Sequence, residues 1–206
     1  MFITLEGPEG SGKTSQIPAL KAFICDRGYD VVVTREPGGT SVGDQIREVL
    51  MNLKNVSIVP RTEILLFQAA RAQHVEEVIR PALAAGQVVI CDRFGDSTLA
   101  YQGYGHQTNL EQLRYLVNYA TGGLQPDLTL LLDIPIRDGL KRKVDNDSEW
   151  NRLDAYEEAF HCRVREGYMQ LVQEEPSRWK TIDATQPMPQ VQAAMQQAVR
   201  ERLPEK

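Results

Sequence analysis

Gly7-Pro8-Glu9-Gly10-Ser11-Gly12-Lys13-Thr14 matches G-x-x-x-x-G-K-[ST], and its flanks give the match its weight. Phe2-Ile3-Thr4-Leu5 before it is short and β-rich, and a stretch of helical character follows. Strand, glycine turn and helix start, in that order, make an anion cradle. Glycines let successive backbone N–H groups turn inward, and the helix N-terminus adds the positive end of its dipole. The spacing predicts that Gly7, Gly10, Ser11 and Gly12 wrap a nucleoside triphosphate, that Lys13 reaches its β and γ phosphates, and that Thr14 ligates magnesium. A chance glycine turn is the bland alternative, and the strand and helix on either side weigh against it.

Working outward, further short apolar segments at Val31 to Thr34, Val88 to Cys91, Leu128 to Leu132 and Lys180 to Ile182 read as strands. Helical spacing separates them. Leu110, Leu113, Val117 and Ala120 mark one helix, with Thr108-x-x-Glu111 read as its capping box. Residues 153 to 172 mark another, with Leu153, Tyr156, Phe160, Val164, Tyr168 and Leu171 on one face. The pattern predicts an α/β fold of three layers, a five-stranded parallel sheet flanked by helices, in a single domain over 1–206. Ligands of such sheets gather at the carboxyl ends of the strands. The polar stretch from about 137 to 154 reads as a short lid.

The chain has 206 residues, enough for one core without disulfides, and three widely spaced cysteines with no metal-ligand pattern. They read as reduced packing residues. A net charge of −5 argues against a nucleic-acid coat, so any anion site is local. No apolar run is long enough to span a membrane, and the N-terminus has neither a basic region nor a cleavage site, so a cytoplasmic location is expected.

Four segments then carry a resemblance over nearly the whole chain: Phe2-Ile3-Thr4-Leu5-Glu6-Gly7 leading into the cradle, Thr34-Arg35-Glu36-Pro37-Gly38-Gly39-Thr40, Phe67-Gln68-Ala69-Ala70-Arg71-Ala72-Gln73-His74, and Asp92-Arg93-Phe94 followed by Ser97 and Ala100-Tyr101-Gln102-Gly103. In this order and spacing the chain resembles the thymidylate kinases. The resemblance implies transfer of a phosphoryl group from Mg-ATP to dTMP, in a homodimer. It implies that Arg35 and Arg93 grip the acceptor phosphate, that Phe67 stacks on thymine, and that Arg71 bonds its O4 edge. Gln102 and Ser97 are then near the base, and Tyr101 lies beneath the sugar where a ribose 2′-hydroxyl would clash. Glu9 approaches the acceptor 3′-hydroxyl and the metal's water shell. The lid supplies a catalytic arginine, with Arg152 the better candidate and Arg142 a second basic residue at the donor side. The family usually has Asp before that arginine and Glu two residues after it; Asn151 and Asp154 stand here. The segment Ile182-Asp183-Ala184-Thr185-Gln186-Pro187 resembles a loop that walls the donor base.

Physical chemistry asks for the same parts. A monophosphate loses its second proton near pH 6, so its oxygen is already nucleophilic and needs no general base. The obstacle is repulsion between two anions, about 4 kcal/mol per unit pair at 4 Å and an effective dielectric of 20. Cations must converge: Lys13 stands in the cradle, Arg35 and Arg93 stand at predicted strand ends, and the lid adds an arginine. Asp92 closes an apolar run and reads as a residue that holds magnesium's waters or orients Arg93. The bland readings are a surface ion pair for Arg35, a core position for Phe67 and a solvated side chain for Arg71 and Glu9. Another small-substrate P-loop kinase, or a nucleotide-dependent switch, is the competing function; no guanine-reading N-K-x-D occurs, which weighs against the switch.

Overall fold

The structure is a computed structural model, and it describes residues 1–145 and 151–203. Its chain order begins with β1 (Phe2–Glu6), α1 (Lys13–Cys25), β2 (Val31–Arg35), α2 (Ser41–Met51) and α3 (Pro60–His74). The last runs through a π-helical turn, Val75–Ile79, into α4 (Arg80–Ala84). Next come β3 (Val88–Asp92), α5 (Gly95–Thr98), a π-helical stretch Leu99–Gly105, α6 (Leu110–Thr121), β4 (Leu128–Asp133) and α7 (Ile136–Asp145). Last in chain order come α8 (Glu158–Glu174), β5 (Trp179–Asp183) and α9 (Met188–Arg200).

The five strands form one parallel sheet in the order β2-β3-β1-β4-β5, as the five β-rich segments predict. Strand side chains alternate between faces, so the two helical layers divide each strand between them. Ile3 and Leu5 of β1, with Leu128, Leu130 and Leu132 of β4, pack on α1 and α9 through Leu20, Ile24, Met195 and Val199. Phe2 turns to the other face with Val75, Ile79 and Phe94, and Leu131 meets Leu113, Tyr168 and Leu171 there. Glu6 shares the parity of Phe2 and Thr4, which carries its carboxylate into the α8 layer rather than into solvent.

Register sets the site. Leu5 lies opposite Asp92, and Arg35 lies opposite the same Asp92, so the ends of β1, β2 and β3 open at one edge of the sheet beside the glycine loop. The loop is backed by α7. A Cβ on Gly10 would strike the backbone of Gly139, and one on Gly139 would strike the carbonyl of Glu9. Two facing glycines let helix and loop touch backbone to backbone.

Three local expectations need correction. The helix predicted from residue 153 begins at Glu158, because Asn151 and Asp154 take the backbone N–H groups of Leu153 and Asn151 and hold a turn instead. Leu153 consequently packs with Leu50 and Phe67, off the α8 stripe. The cap of α6 is Asn109, whose Oδ1 accepts from Gln112 N at 2.9 Å, while the Thr108 hydroxyl donates to the backbone carbonyl of Gln102 at 2.6 Å. The three cysteines are free, but Cys25 is exposed and only Cys91 is buried. The predicted lid falls partly on 146–150, outside the described residues; its first half, 137–145, lies within α7. Among the described residues no helix is long and apolar enough to cross a membrane.

Candidate active site

A cleft of about 640 Å³ opens where the strands end, lined along one side by the glycine loop and along the other by α3 and the Leu99–Gly105 stretch. At the loop end, Lys13 Nζ donates to the carbonyls of Gly7 and Pro8 at 3.0 and 3.1 Å and to Ser11 Oγ at 3.2 Å. Burial, with Arg93 adding to it, pushes the Lys13 ammonium down to about 8. Thr14 Oγ1 donates to Asp92 Oδ2 at 2.8 Å. This hydroxyl and carboxylate are hard oxygen donors of the kind magnesium takes, and they stand at the mouth of the cradle. No group of three or more His, Cys, Asp or Glu suited to a metal occurs among the described residues. Arg142 lines the same end and donates to the Ala184 carbonyl at 2.8 Å, linking α7 to the segment after β5.

Arg93 occupies the middle. Its backbone is left-handed, with φ 69°, a conformation that costs a non-glycine residue about 1–3 kcal/mol. The neighbourhood holds it there: Arg93 N donates to Leu5 O at 2.9 Å, and Phe94 N donates to Glu6 Oε1 at 2.7 Å. The turn aims the guanidinium back across the sheet edge. Nη2 donates to Glu9 Oε1 at 2.8 Å and to the Tyr101 hydroxyl at 2.9 Å; Nη1 reaches Ser97 Oγ and the Tyr168 hydroxyl at 3.2 and 3.1 Å. Tyr101 donates in turn to Glu9 Oε1 at 2.8 Å.

Two acids flank this arginine with opposite titration. Burial works against ionisation of Glu9, yet Arg93, Lys13 and Lys143 outweigh it and hold the carboxyl at about 2. Glu6 is fully buried, and burial and the Asp96 charge raise it to about 7 although Arg93, Ser97 and Tyr168 pull the other way. Ser97 Oγ and the Tyr168 hydroxyl donate to its Oε2 at 2.6 and 2.8 Å.

At the far end Arg71 is almost wholly buried. Nε donates to Glu36 Oε2 at 2.7 Å, Nη1 to Gln68 Oε1 and Thr98 Oγ1 at 2.9 Å each, and Nη2 to the Phe94 carbonyl at 3.0 Å. Glu36 is locked from its other side by His74 Nδ1 at 2.9 Å. Phe67 lines the cleft one helical turn before Arg71 and also packs with Leu50 and Leu153, so it belongs to the cleft wall and to the core at once.

The structure therefore brings Glu9, Lys13, Thr14, Arg35, Phe67, Arg71, Asp92, Arg93, Ser97, Tyr101, Gln102 and Arg142 to one cleft, with Gly10, Ser11 and Gly12 in its wall. Arg35 is half-exposed at its edge, 3.3 Å from Asp44. Two placements differ from expectation. Ser97 is turned under Arg93 toward Glu6, and Thr98 is the hydroxyl beside Arg71. Arg152 does not line the cleft: its Nη2 pairs with Glu63 Oε2 at 2.5 Å and its Nε donates to the Leu50 carbonyl at 2.8 Å. A buried carboxylate captures the nearest guanidinium because neither ion is tolerated there alone. Lys143 is the lid-side cation that faces Glu9, at 3.7 Å, while also bonded to Asp154 at 2.5 Å.

The sequence reading passed over Glu6, Arg47, Glu63 and Tyr168 as site residues. Glu6 had a signal, an acid at the end of a buried strand directly before the cradle. Glu63 had none beyond standing in an apolar helical run, Tyr168 read as a core residue, and Arg47, which lines the cleft, drew no reading.

Chemistry at such a junction is phosphoryl transfer between two bound anions, which places the chain among the P-loop nucleotide kinases. Comparison with known proteins narrows this. Residues 5–195 match the family model described as Thymidylate kinase. A thymidylate kinase of Desulfovibrio desulfuricans is 52% identical over 193 residues, covering 91% of this chain and 89% of its own length. That of Roseiflexus castenholzii is 50% identical over 198 residues, covering 90% and 86%. That of Geotalea uraniireducens is 48% identical over 209 residues, covering 99% and 98%. The crystal structure of thymidylate kinase from Ehrlichia chaffeensis superposes with a TM-score of 0.79 at 32% identity, covering 97% of this chain and 98% of that one. The chain belongs to the thymidylate kinase family.

Proposed function

We propose that this enzyme converts ATP and dTMP to ADP and dTDP. The observation that carries the reading is Arg93, which stands in the middle of the cleft and donates both to the carboxylate of the glycine loop and to the Tyr101 hydroxyl. ATP lies along the loop with its phosphates at Lys13, and dTMP lies with its base between Phe67 and Arg71. An ionised oxygen of the dTMP phosphate attacks the γ phosphorus. The new O–P bond forms as the bond to the β–γ bridging oxygen breaks, and ADP leaves with that electron pair. No proton has to move in this step.

The residues act by neutralisation and alignment. Arg93 and Arg35 hold the acceptor phosphate, and Lys13 bears on the β and γ phosphates. Thr14, with Asp92 behind it, would hold magnesium, which would supply positive charge toward the donor phosphates. Glu9 stays ionised at all working pH and accepts from Tyr101 and Arg93, which suits it to the acceptor 3′-hydroxyl. Tyr101 lies against Arg93 with its ring, 4.8 Å from the guanidinium carbon, and closes the space where a 2′-hydroxyl would sit. Lys143, rather than Arg152, is the lid cation in reach of Glu9.

The same reading includes a cytoplasmic location, where both nucleotides are made and used, and a homodimer. The dimer is supported by Leu65 on α3 and Tyr115 and Tyr119 on α6, which are 53%, 70% and 78% exposed on neighbouring helices. Incubation with Mg-ATP and a panel of monophosphates, with the diphosphates resolved by chromatography, tests the function. dTDP is the expected product; turnover of another monophosphate in its place would overturn it.

A further inference from the structure

Glu63 lies at the back of the acceptor hollow and is almost wholly buried, 1% exposed. Its two oxygens serve different neighbours. Oε1 accepts from Gln102 Nε2 at 2.7 Å and lies 3.2 Å from His106 Nε2. Oε2 accepts from Arg152 Nη2 at 2.5 Å and from the Tyr156 hydroxyl at 3.2 Å. A carboxylate can only accept, so the amide of Gln102 must point its NH₂ at Glu63. Its carbonyl oxygen is then the end left for the cleft that Gln102 lines, and among the described residues it accepts no hydrogen bond.

Arg71 and Thr98, which line the same cleft, keep donors to spare. Arg71 commits one N–H from Nε, two from Nη1 and one from Nη2, which leaves a single N–H on Nη2. Thr98 Oγ1 already accepts from Arg71 and from Gln68 Nε2, the latter at 3.2 Å, so its own proton is free to donate. One acceptor among donors is the complement of a thymine or uracil edge, in which N3–H stands between two carbonyl oxygens. A cytosine edge has a bare N3 acceptor and meets the Gln102 carbonyl lone pair to lone pair.

We infer that Glu63 is a positioning residue that selects the base: by accepting from Gln102 it fixes that amide with its carbonyl toward N3, and so admits thymine and rejects cytosine. The inference rests on dTMP as the acceptor. The lock holds across the working range, since His106 and Arg152 outweigh the opposing effect of burial and keep the Glu63 carboxyl at about 2.

Glu63→Gln tests it. Arg152 still demands an acceptor, so the new amide oxygen takes the Oε2 place and its NH₂ takes the Oε1 place, facing Gln102. That leaves Gln102 to turn its carbonyl inward and its NH₂ to the base. The ratio of kcat/KM for dTMP over dCMP is expected to fall about tenfold or more, with loss on dTMP and gain on dCMP. The ratio of dUMP to dTMP, which reads the methyl group alone, is expected to hold. Gln102→Met, which removes the carbonyl without touching the Glu63–Arg152 pair, is expected to lower the dTMP rate with no gain on dCMP, and it serves if Glu63→Gln does not fold. An unchanged dTMP to dCMP ratio in either soluble variant, with wild-type dTMP turnover intact, overturns the inference alone. Wild-type protein that makes no dTDP overturns the proposed function instead.

Discussion

The carboxylate of Glu9 and the guanidinium of Arg93 lie 2.8 Å apart across 84 residues of sequence, joining the glycine loop to the end of β3. The contact puts the one acid of the loop and the central arginine midway along the cleft.

Because Arg93 joins Glu9 to Tyr101 in the middle of the cleft, Arg93→Ala should reduce kcat/KM for dTMP by about 10²- to 10³-fold. The ATP end is built from other groups, so nucleotide affinity measured by calorimetry should change little. Near-normal dTMP kinetics would remove Arg93 from the reacting phosphates.

The two buried acids predict opposite effects of pH. Glu6 rises from 4.5 to about 7 in the folded state, so the native protein binds its proton more tightly than the unfolded chain. Stability from this group is full below pH 4.5 and is lost as pH climbs through about 7, by on the order of 3 kcal/mol. Glu63 falls from 4.5 to about 2, so its contribution is full above 4.5 and is lost as pH drops toward 2. Glu6→Gln should flatten the decline in melting temperature between pH 5 and 8, and Glu63→Gln the decline on the acid side. Identical pH profiles for wild type and Glu6→Gln would contradict the buried, proton-binding state of Glu6.

Gly139→Ala tests the contact between α7 and the loop. The methyl group meets the Glu9 carbonyl, a backbone atom that cannot rotate away. Overpacking of this kind costs about 1–3 kcal/mol, and it should appear both as a lower melting temperature and as a raised KM for ATP. A fully stable variant with unaltered KM would show that helix and loop do not touch there.

Lys143→Met and Arg152→Met should separate catalysis from support. Lys143 faces Glu9, so its loss should lower kcat with modest effect on folding. Arg152 is buried against Glu63, so its loss should destabilise the fold by about 3–5 kcal/mol, read by denaturant titration. A stable Arg152→Met enzyme with collapsed kcat would return Arg152 to the phosphates.

Much of the fold was legible in the residues. Five β-rich segments and the glycine motif sufficed for the sheet, because strand and turn propensities act over a few residues. Arg93, Phe67 and Arg71 were legible through family likeness and stand in the cleft as expected. Glu63 was not, since an acid within Thr62-Glu63-Ile64-Leu65-Leu66-Phe67 looks like any exposed helical glutamate. Its burial depends on Gln102, His106, Arg152 and Tyr156 arriving from distant segments. The same holds for Arg152, which read as a lid cation until Glu63 was placed beside it.

Local chemistry wrote the cradle at Gly7 to Thr14, the parallel sheet and the kind of anion it serves, because backbone freedom at glycine and side-chain period are properties of neighbouring residues. Long-range packing settled which charges face the substrates and which are spent on one another. Glu6 and Glu9 are three residues apart, yet one is held near neutrality and the other strongly ionised, since only Glu9 lies among Arg93, Lys13 and Lys143 while Glu6 is sealed beside Asp96. Desolvation and pairing are sums over the folded surroundings, so they exist only once the chain has closed.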